Sequence, residues 1–380
     1  MRIYEIGTGY TPIPARIGAA TEIVVEGLTR ALRKCGVDAQ IIDIRSENRP
    51  ASQLPIREVS VPAFLSGTDL KLGLLHKLKR VVYSCALARA LKKLLQAEEE
   101  KVILHFHNQY NLFFFLLLSS PRLRRKALTV YTVHSGIWRQ NWDDIKGVIR
   151  RRYFQEMVCM KHCDLLFVLN RETKEAAVCR LGVDPERIVL TRNGIDTQRY
   201  RALGITRDMV VLQVGSVCEN KGQLRAVRLL LPLLQKYPQL SFCYAGGIVE
   251  EGYYSKLLDF AARNGLENRI RYLGMIAPGE ALNELYNRAA FTVMPSRFEA
   301  FGLAAVESLA AGTPVLIDES SPMDFGSGCV YYNENNFSEL AEDLLKNPAK
   351  AIRPEIAGHC GWDGVAAEQL AAMEERMRTL

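Results

Sequence analysis

Three absences narrow the kind of protein that this sequence can encode. Its 380 residues contain no run of about 18 apolar residues, so no segment is long and apolar enough to cross a bilayer as a helix. The segment Met1–Ile6 resembles a strand and lacks the charged start and apolar stretch of a signal peptide. No solenoid-type repeat and no low-complexity segment occurs. We therefore expect a cytoplasmic, globular protein.

Paired cysteines are absent as well. The nine cysteines are scattered along the chain rather than placed at disulfide-framework spacings. Cys159, His162 and Cys163 form one local cluster, but no CxxC or HxxxH elsewhere offers zinc a second pair of ligands. We expect reduced thiols that pack in the protein, and no metal site.

The chain also lacks a strong excess of charge. Its formal net charge of +7 is mild for a nucleic-acid-binding protein, so we expect no nucleic-acid partner. The charge suits a phosphate-bearing ligand or an anionic membrane surface. Because single hydrophobic cores stop growing at about 250–300 residues, a chain of 380 residues predicts two domains.

Short apolar strands alternate with longer helical stretches along the chain, which is typical of parallel sheets covered by helices. The first series of expected strands is Arg2–Ile6, Asp38–Ile44, Lys101–Phe106, Leu128–Val133, Leu165–Leu169 and Ile188–Thr191. The second series is Val210–Val214, Leu240–Ala245, Ile270–Leu273, Phe291–Met294, Pro314–Ile317 and Cys329–Tyr332. The sequence therefore predicts an α/β fold of two Rossmann-like, doubly wound domains that face each other across a cleft. We expect domains at 1–196 and 210–360, a linker at 197–209, and a C-terminal helix at 361–380 that could cross back onto the first domain.

Two glutamates flank a glycine turn after one of these strands. Glu299 precedes the turn at Gly302, and Glu307 lies about one helical turn inside the helix that follows. In open α/β sheets, ligands bind at the carboxyl ends of strands, where helix N-termini offer unpaired N–H groups. The two carboxylates can therefore reach different parts of one extended ligand. The alternative is that Glu299 is a helix-start acid favoured by the helix dipole and that Glu307 is a surface charge.

The surrounding motif, PSxxExFGLxxxE followed by AGTPV, resembles the signature of family-four retaining glycosyltransferases of the GT-B fold (glycosyl transferases group 1). Further elements of that family follow in order along the chain. They are Gly18 before the first helix, His107 and His134 at strand ends, Asn193-Gly194-Ile195-Asp196, Val214-Gly215-Ser216 with Lys221-Gly222, and Ala245-Gly246-Gly247. His107 and His134 could also be histidines whose hydrogen bonds are satisfied at strand ends.

The resemblance implies a role for each motif residue. Catalytic roles fall to His134, Glu299 and Lys221. Donor or nucleotide binding falls to Gly18, Ser216, Lys221, Gly246, Arg297, Phe301, Gly302, Leu303 and Glu307. The first domain would bind the acceptor and the second domain the nucleotide sugar.

The chain departs from the family at one phosphate-binding position. Ser216 stands where the family has an arginine, and we consider Arg297 and Arg192 as substitute cations. No DxD sequence occurs, which favours a metal-independent GT-B enzyme over the metal-dependent GT-A class. We expect no cofactor besides the substrate nucleotide sugar.

The expected function is retaining transfer of a hexose from a nucleoside-diphosphate sugar, with a UDP-sugar favoured. The acceptor is a hydroxyl of a sugar, a lipid-linked sugar or a small molecule, in the biosynthesis of cell-surface polysaccharide, glycolipid or glycoconjugate. The alternatives are a nucleotide-sugar epimerase or hydrolase and an inactive nucleotide-sugar-binding protein. An NAD-dependent oxidoreductase is suggested by Gly7-Thr8-Gly9, but Pro12 occupies the position of the third fingerprint glycine.

A basic helical segment near residues 71–95 bears on localisation. Apolar residues recur there at helical spacing between several lysines and arginines. Such a helix could hold the protein at the inner face of an anionic membrane. The alternative is an ordinary helix that covers the first sheet with its basic face in water.

Overall fold

The computed structural model describes residues 1–15, 19–65, 74–321, 323, 325, 328–347 and 359–380, without the side chains of 74–76. The chain divides into two compact units. Residues 1–15, 19–194 and 362–380 belong to the first unit, and residues 195–361 belong to the second. The segment 197–209, which the sequence predicts to be a linker, lies within the second unit.

The first unit is built on a seven-stranded parallel sheet in the order β3-β2-β1-β4-β5-β6-β7. Its strands are β1 (Arg2–Ile6), β2 (Asp38–Ile44), β3 (Ile56–Val59), β4 (Val102–Phe106), β5 (Ala127–Val133), β6 (Leu165–Val168) and β7 (Ile188–Leu190). The central strands are buried along almost their whole length, because helices cover both faces of a doubly wound sheet.

The helices of the first unit follow these strands in the usual alternation. They are α1 (Ala20–Lys34), α2 (Leu74–Ala97), α3 (Gln109–Leu118), α4 (Pro121–Arg124), α5 (Trp142–Arg152), α6 (Phe154–His162) and α7 (Arg171–Glu175). Among the described residues, no helix combines the length and the hydropathy that a bilayer crossing needs.

The second unit has a six-stranded parallel sheet in the order β10-β9-β8-β11-β12-β13. Its strands are β8 (Val210–Val214), β9 (Ser241–Ala245), β10 (Ile270–Tyr272), β11 (Phe291–Met294), β12 (Val315–Asp318) and β13 (Cys329–Tyr332). Its helices include α8 (Gln223–Lys236), α9 (Glu251–Arg263), α10 (Glu280–Arg288), α11 (Leu303–Ala310) and α12 (Phe337–Lys346). The predicted class, α/β with two doubly wound parallel sheets, is confirmed.

The C-terminal helix α13 (Trp362–Thr379) belongs to the first unit and packs along α1. Gly27 of α1 makes room for the indole of Trp362, since a Cβ atom at Gly27 would lie 2.2 Å from Trp362 Cε2. Ala366 and Met373 are buried in the same hydrophobic cluster as Leu28. This helix is therefore part of the first unit's core.

All nine cysteines lie in the described part of the chain and are free thiols. Cys159 and Cys163 are buried, whereas His162 between them is exposed. The Sγ atom of Cys159 donates to the carbonyl of Gln109 at 3.2 Å. Burial raises the pKa of both thiols, and both pack in the hydrophobic core of the first unit.

Strand order places the ligand-binding edge of each sheet. In the first unit β1 lies between β2 and β4, and in the second β8 lies between β9 and β11. The chain therefore winds outwards in both directions from β1 and from β8. In such sheets a crevice opens at the carboxyl ends of the strands where the winding direction reverses.

Candidate functional site

In the second unit the predicted site residues lie on loops that follow β8, β9 and β11, at the carboxyl ends of neighbouring strands, and on helix α11. The loop after β8 touches the loop after β11. The N-cap of α8 is Gly222 with φ 71°, and a Cβ atom there would lie 2.8 Å from the carbonyl oxygen of Pro295. The amide of Arg297 also donates to the carbonyl of Asn220 at 3.0 Å.

This contact brings Lys221 and Glu299 together. The Nζ of Lys221 donates to Oε1 of Glu299 in an ion pair, although 78 positions separate the two residues. The Lys221 side chain is 26% exposed and that of Glu299 is 10% exposed, so the cation stays accessible to a ligand. The predicted phosphate-binding cation and the predicted sugar-binding acid therefore lie side by side.

The helix α11 begins at the glycine turn between the two glutamates. Its N-cap, Gly302, has φ 86°, and no side chain caps the helix. The first N–H groups of α11, beginning at Leu303, therefore lack a capping side chain and are suited to an anionic ligand. Phe301 is buried, with its ring edge-on to Phe325 at 5.2 Å between centroids. That packing fixes the start of α11.

Glu307 lies inside α11 and is only 8% exposed. The hydroxyl of Tyr286, on the neighbouring helix α10, donates to Oε2 of Glu307 at 2.9 Å. Burial raises the pKa of Glu307 to about 7, although the hydrogen bond from Tyr286 acts in the opposite direction. Glu307 is therefore a buried acid close to its ionisation point at neutral pH, and not a surface charge.

Ser216 and Gly246 lie on adjacent loops after β8 and β9. The carbonyl of Ser216 accepts a hydrogen bond from Nε2 of Gln223 at 2.9 Å. A Cβ atom at Gly246 would lie 2.0 Å from the carbonyl oxygen of Gly215, so only glycine allows the two loops to approach this closely. The turn in which Ser216 replaces arginine is thus held by backbone contacts.

The two proposed substitute cations lie in different surroundings. The side chain of Arg297 is 59% exposed, 3.6 Å from Glu219, and it lines a cavity of about 720 Å³ with Arg225. Arg192 belongs to the first unit, where its guanidinium lies 3.4 Å from Glu368. Gly18 lies outside the described residues.

In the first unit, His107 and His134 are joined to each other. His107 Nδ1 lies 3.0 Å from His134 Nε2, and the two rings are stacked with centroids 5.3 Å apart. His107 Nε2 lies 2.7 Å from Oε2 of Glu5. His105 Nδ1 lies 3.1 Å from Oε1 of the same carboxylate, and His105 Nε2 lies 2.7 Å from the hydroxyl of Thr132.

Burial acts in opposite directions on the pKa values of the histidines and of the glutamate in this group. It lowers the pKa of His107 to about 4 and that of His134 well below its usual value. Burial alone would raise the pKa of Glu5, but the imidazoles of His105 and His107 hold it at about 2. At neutral pH the group therefore contains an ionised Glu5 and neutral rings at His107 and His134.

Glu5 and His105 were not predicted as site residues, nor was Tyr286. A signal for the first two exists, because Glu5 and His105 interrupt otherwise apolar strands that the alternation of elements predicts to be buried. Both are fully buried on adjacent strands, with Glu5 in register with His105. Tyr286 carries no comparable signal, since a tyrosine on an amphipathic helix is ordinary.

The donor atoms of Glu5, His105 and His107 lie within 4.8 Å of one another, which makes them the candidate metal-ligating group among the described residues. Every one of these donor atoms is already engaged in a hydrogen bond of 2.7–3.1 Å within the group. The second unit offers different chemistry. A lysine, an uncapped helix N-terminus and two buried acids suit a ligand that combines phosphates with hydroxyl groups.

Comparisons with known proteins match both units. A family model described as Glycosyltransferase Family 4 matches residues 21–199, and one described as Glycosyl transferases group 1 matches residues 197–354. The GDP-mannose:cellobiosyl-diphosphopolyprenol alpha-mannosyltransferase of Xanthomonas oryzae is 29% identical over 218 residues, which are 57% of this chain and 56% of that protein. Mannosylfructose-phosphate synthase of Agrobacterium fabrum is 23% identical over 289 residues, 65% of this chain and 63% of that protein. Both matches cover less than two thirds of the relative's own length.

Solved structures resemble the chain along its whole length. Sucrose-phosphate synthase from Thermosynechococcus elongatus has a TM-score of 0.79 at 19% identity and covers 100% of both chains. HepE of Anabaena, solved in complex with UDP-glucose, has a TM-score of 0.70 at 17% identity and also covers 100% of both chains. At these identities the likeness shows a shared fold.

Proposed function

Because the chain belongs to the glycosyltransferases of family 4 and has their GT-B fold, we propose that it transfers a hexose from a nucleoside-diphosphate sugar to an acceptor hydroxyl. The observation that carries the proposal is the Lys221–Glu299 ion pair in the same loop cluster as the uncapped start of α11. A cation and N–H groups without a capping side chain suit the diphosphate, and the carboxylate of Glu299 suits a sugar hydroxyl.

Charge on the leaving diphosphate is the main electrostatic demand of this reaction. Lys221 supplies a point charge, and the N-terminus of α11, which has no side-chain cap, supplies oriented N–H groups. These groups are fixed before the reaction begins, as electrostatic stabilisation requires. We propose that they replace a divalent metal ion in this enzyme and also offset the missing arginine at Ser216.

The two acids receive different parts of the donor in this proposal. Glu299, paired with Lys221, accepts a hydrogen bond from a hydroxyl of the transferred sugar. Glu307, held by Tyr286 at 2.9 Å, accepts from the ribose hydroxyls when it is ionised. The turn at Gly302 separates the two acids along the chain, so each acid can contact a different part of an extended sugar nucleotide.

We propose that the transfer retains the anomeric configuration. The acceptor oxygen bonds to the anomeric carbon on the face from which the diphosphate leaves. The bond between that carbon and the diphosphate oxygen breaks, and the acceptor's proton passes to the departing diphosphate. No protein nucleophile is needed in this front-face step, so the role of the site is to hold the diphosphate and the sugar in position.

Binding of sugar nucleotides tests the proposal. We expect one of UDP-glucose, GDP-mannose and ADP-glucose to stabilise the protein by about 2.7 kcal/mol at 100 times its dissociation constant, with UDP-glucose favoured. A charge-assisted hydrogen bond contributes about 1.5–3 kcal/mol, so Lys221→Ala should weaken binding by roughly 10- to 100-fold. Thermal shift and titration calorimetry provide the measurements.

Lys256→Ala is the matched control, because Lys256 is exposed on α9 in the same unit. It should leave the affinity unchanged. Equal binding by Lys221→Ala and the unsubstituted protein would show that the diphosphate does not bind at Lys221. If none of the three sugar nucleotides binds, the proposed donor class is wrong.

We propose further that the acceptor is lipid-linked, as the name of the Xanthomonas oryzae relative states for that enzyme. The contacts of α2 bear on the membrane role expected for the basic segment at 71–95. Lys79 of α2 is buried and donates to the carbonyl of Tyr10 at 3.0 Å, and Arg80 stacks over the Tyr10 ring. These two cations are therefore engaged within the first unit.

A second surface of the first unit combines exposed apolar and basic residues. Leu117 and Leu118 at the end of α3 are 63% and 40% exposed, and the exposed residues Arg122 and Arg125 follow them. An anionic membrane attracts such a surface by about 1 kcal/mol for each basic residue. We propose that this surface, rather than α2, rests on the inner face of the membrane.

Co-sedimentation with phosphatidylglycerol vesicles tests the membrane surface, with phosphatidylcholine vesicles for comparison. Arg122→Glu/Arg125→Glu should lower the bound fraction at least tenfold, because two attractive charges become repulsive. Lys77→Glu/Arg89→Glu on α2, both exposed, should have a smaller effect. The reverse order of the two effects would assign the contact to α2, and absence of binding would reject it.

A further inference from the structure

A continuous chain of hydrogen bonds crosses the carboxyl ends of three adjacent strands in the first unit. Glu5 on β1 contacts His107 after β4, and His107 contacts His134 after β5. Strand geometry explains the alignment, because Glu5 pairs in register with His105, and side chains two positions apart share one face of a strand. This chain of hydrogen bonds therefore ends at His134, for which the family resemblance implies a catalytic role.

The direction of each hydrogen bond follows from the ionised carboxylate. An ionised Glu5 accepts hydrogen bonds only, so His107 must carry its proton on Nε2, which lies 2.7 Å from that carboxylate. A neutral His107 ring then has a lone pair on Nδ1. His134 Nε2, 3.0 Å away, must donate to that lone pair. The remaining ring nitrogen of His134, Nδ1, is left as a hydrogen-bond acceptor.

We infer that Glu5 is a positioning residue that acts through His107 to fix the tautomer and ring orientation of His134, with the proton on Nε2 and the lone pair on Nδ1. The inference rests on the proposed function for its meaning, because it defines what His134 does for a substrate. His134 is partly exposed, whereas Glu5 and His107 are buried.

The fixed tautomer limits the chemistry available to His134. Its Nδ1 accepts a hydrogen bond from a substrate hydroxyl and cannot donate one to a leaving group. Burial and the neighbouring imidazoles hold the pKa of His134 well below its usual value, so the ring stays neutral through the physiological range. His134 therefore orients a hydroxyl, and the departing diphosphate remains the proton acceptor.

His105 shares the Glu5 carboxylate without joining this chain. Its Nδ1 lies 3.1 Å from Oε1, and its other nitrogen lies 2.7 Å from the Thr132 hydroxyl. The titratable groups that face Glu5 are thus His105 and His107, and His134 faces His107. The Glu5 carboxylate keeps a partner on each oxygen, which accounts for its stability in a fully buried position.

The tautomer can be read directly by ¹⁵N–¹H correlation spectroscopy of the full chain labelled in histidine. In the unsubstituted protein without ligand, we expect His134 as a single neutral tautomer with protonated Nε2, from pH 6 to pH 8. His134→Gln identifies its signals. A His134 ring with protonated Nδ1, or a charged ring at pH 7, would overturn the inference. This measurement needs only the unsubstituted protein and His134→Gln.

Two variants test the connection to Glu5. Glu5→Leu removes the carboxylate at similar size, and His107→Phe removes the intermediate ring. In both, His134 should become a mixture of the two neutral tautomers. Glu156→Leu is the matched control, because Glu156 is a second buried carboxylate of the first unit with three hydrogen-bond donors. A single, unchanged tautomer in Glu5→Leu, or the same mixture in Glu156→Leu, would contradict the inference.

Metal analysis tests the remaining explanation, which is that Glu5, His105 and His107 bind a metal ion. A stoichiometric metal ion in the purified protein, lost in Glu5→Leu, would show that the group is a metal centre and would overturn the hydrogen-bond chain. None of these measurements needs a sugar nucleotide. A protein that fails to bind any donor yet shows the expected His134 tautomer would reject the proposed function and keep this inference.

Discussion

Glu307 combines deep burial with a position at the expected edge of the ligand site. Burial raises the pKa of its carboxyl group to about 7, although hydrogen bonds from Tyr286 and Tyr200 act in the opposite direction. A carboxylate accepts hydrogen bonds from ribose hydroxyls at both oxygens, whereas the protonated acid offers less acceptor capacity. In the proposed function, the ionisation of Glu307 therefore controls how tightly the ribose is bound.

We expect affinity for the sugar nucleotide to rise with pH through this ionisation. For a group with a pKa of about 7 that must be ionised, affinity increases about tenfold between pH 6 and pH 8. Glu307→Gln should bind more weakly and show no such dependence. Tyr286→Phe should move the transition to higher pH, because it removes a hydrogen bond that lowers the pKa. Calorimetric titration with the sugar nucleotide over this pH range measures all three.

Stability should change in the opposite direction. A pKa raised from 4.5 to about 7 means that the folded form binds the proton more tightly than the unfolded form. That contribution is complete below pH 4.5 and is lost as pH rises through 7. Without ligand, the protein should therefore lose stability relative to Glu307→Gln between pH 5 and pH 8. A constant difference in denaturant midpoint across that range would contradict the raised pKa.

At this scale the sequence predicts motif residues better than their partners. Lys221, Glu299 and Glu307 stand in recognisable motifs, and the structure places all three in the second unit. The ion pair between Lys221 and Glu299 could not be predicted, because it depends on how the loops after β8 and β11 meet. Glu5 was missed because a buried acid is stable only beside partners 100 positions away.

At the scale of secondary-structure elements, the starts of helices α8 and α11 define the candidate site. Both α8 and α11 begin at a glycine in the left-handed region, Gly222 at φ 71° and Gly302 at φ 86°. Left-handed geometry costs most L-residues about 1–2 kcal/mol, so glycine is the residue that suits these turns. At Gly302, a Cβ atom would also lie 2.1 Å from Sδ of Met323. The start of α11 is therefore sensitive to a single methyl group.

Gly302→Ala should destabilise the second unit by about 1–2 kcal/mol and weaken sugar nucleotide binding, because the first N–H groups of α11 would shift. Gly252→Ala provides a control of opposite sign. Gly252 lies within α9 with open space around it, so alanine there should stabilise by about 0.5–1 kcal/mol and leave binding unchanged. Chemical denaturation and calorimetry measure both effects. Equal stability changes in the two variants would contradict this description of the turn.

Elements were predicted well where their pattern is strong. Five expected strands, among them Arg2–Ile6 and Val210–Val214, have the bounds that the structure shows. The short strand β3 (Ile56–Val59) was not expected, because two of its four residues are the charged Arg57 and Glu58 and it lies at the edge of the sheet. Edge strands carry polar residues, so their apolar pattern is weak.

At the scale of the whole molecule, alternation of strands and helices was enough to predict two doubly wound α/β units. The boundary between the units was harder to place. The structure sets it between Gly194 and Ile195, whereas the sequence suggested a separate linker at 197–209. Arg201 and Leu203 explain why this segment belongs to the second unit, since their amides donate to Asn283 and Asn287 of α10.

Because α13 is the last helix of the chain, it determines which of the two units is completed first during synthesis. Synthesis proceeds from the N-terminus, so residues 195–361 are all made before Trp362, whose indole fills the space beside Gly27. The second unit can therefore fold on the ribosome while the first still lacks its last helix. Until α13 emerges, the apolar face of α1 that it covers stays open to solvent or to a chaperone. The unit that begins first along the chain is thus the one that is finished last.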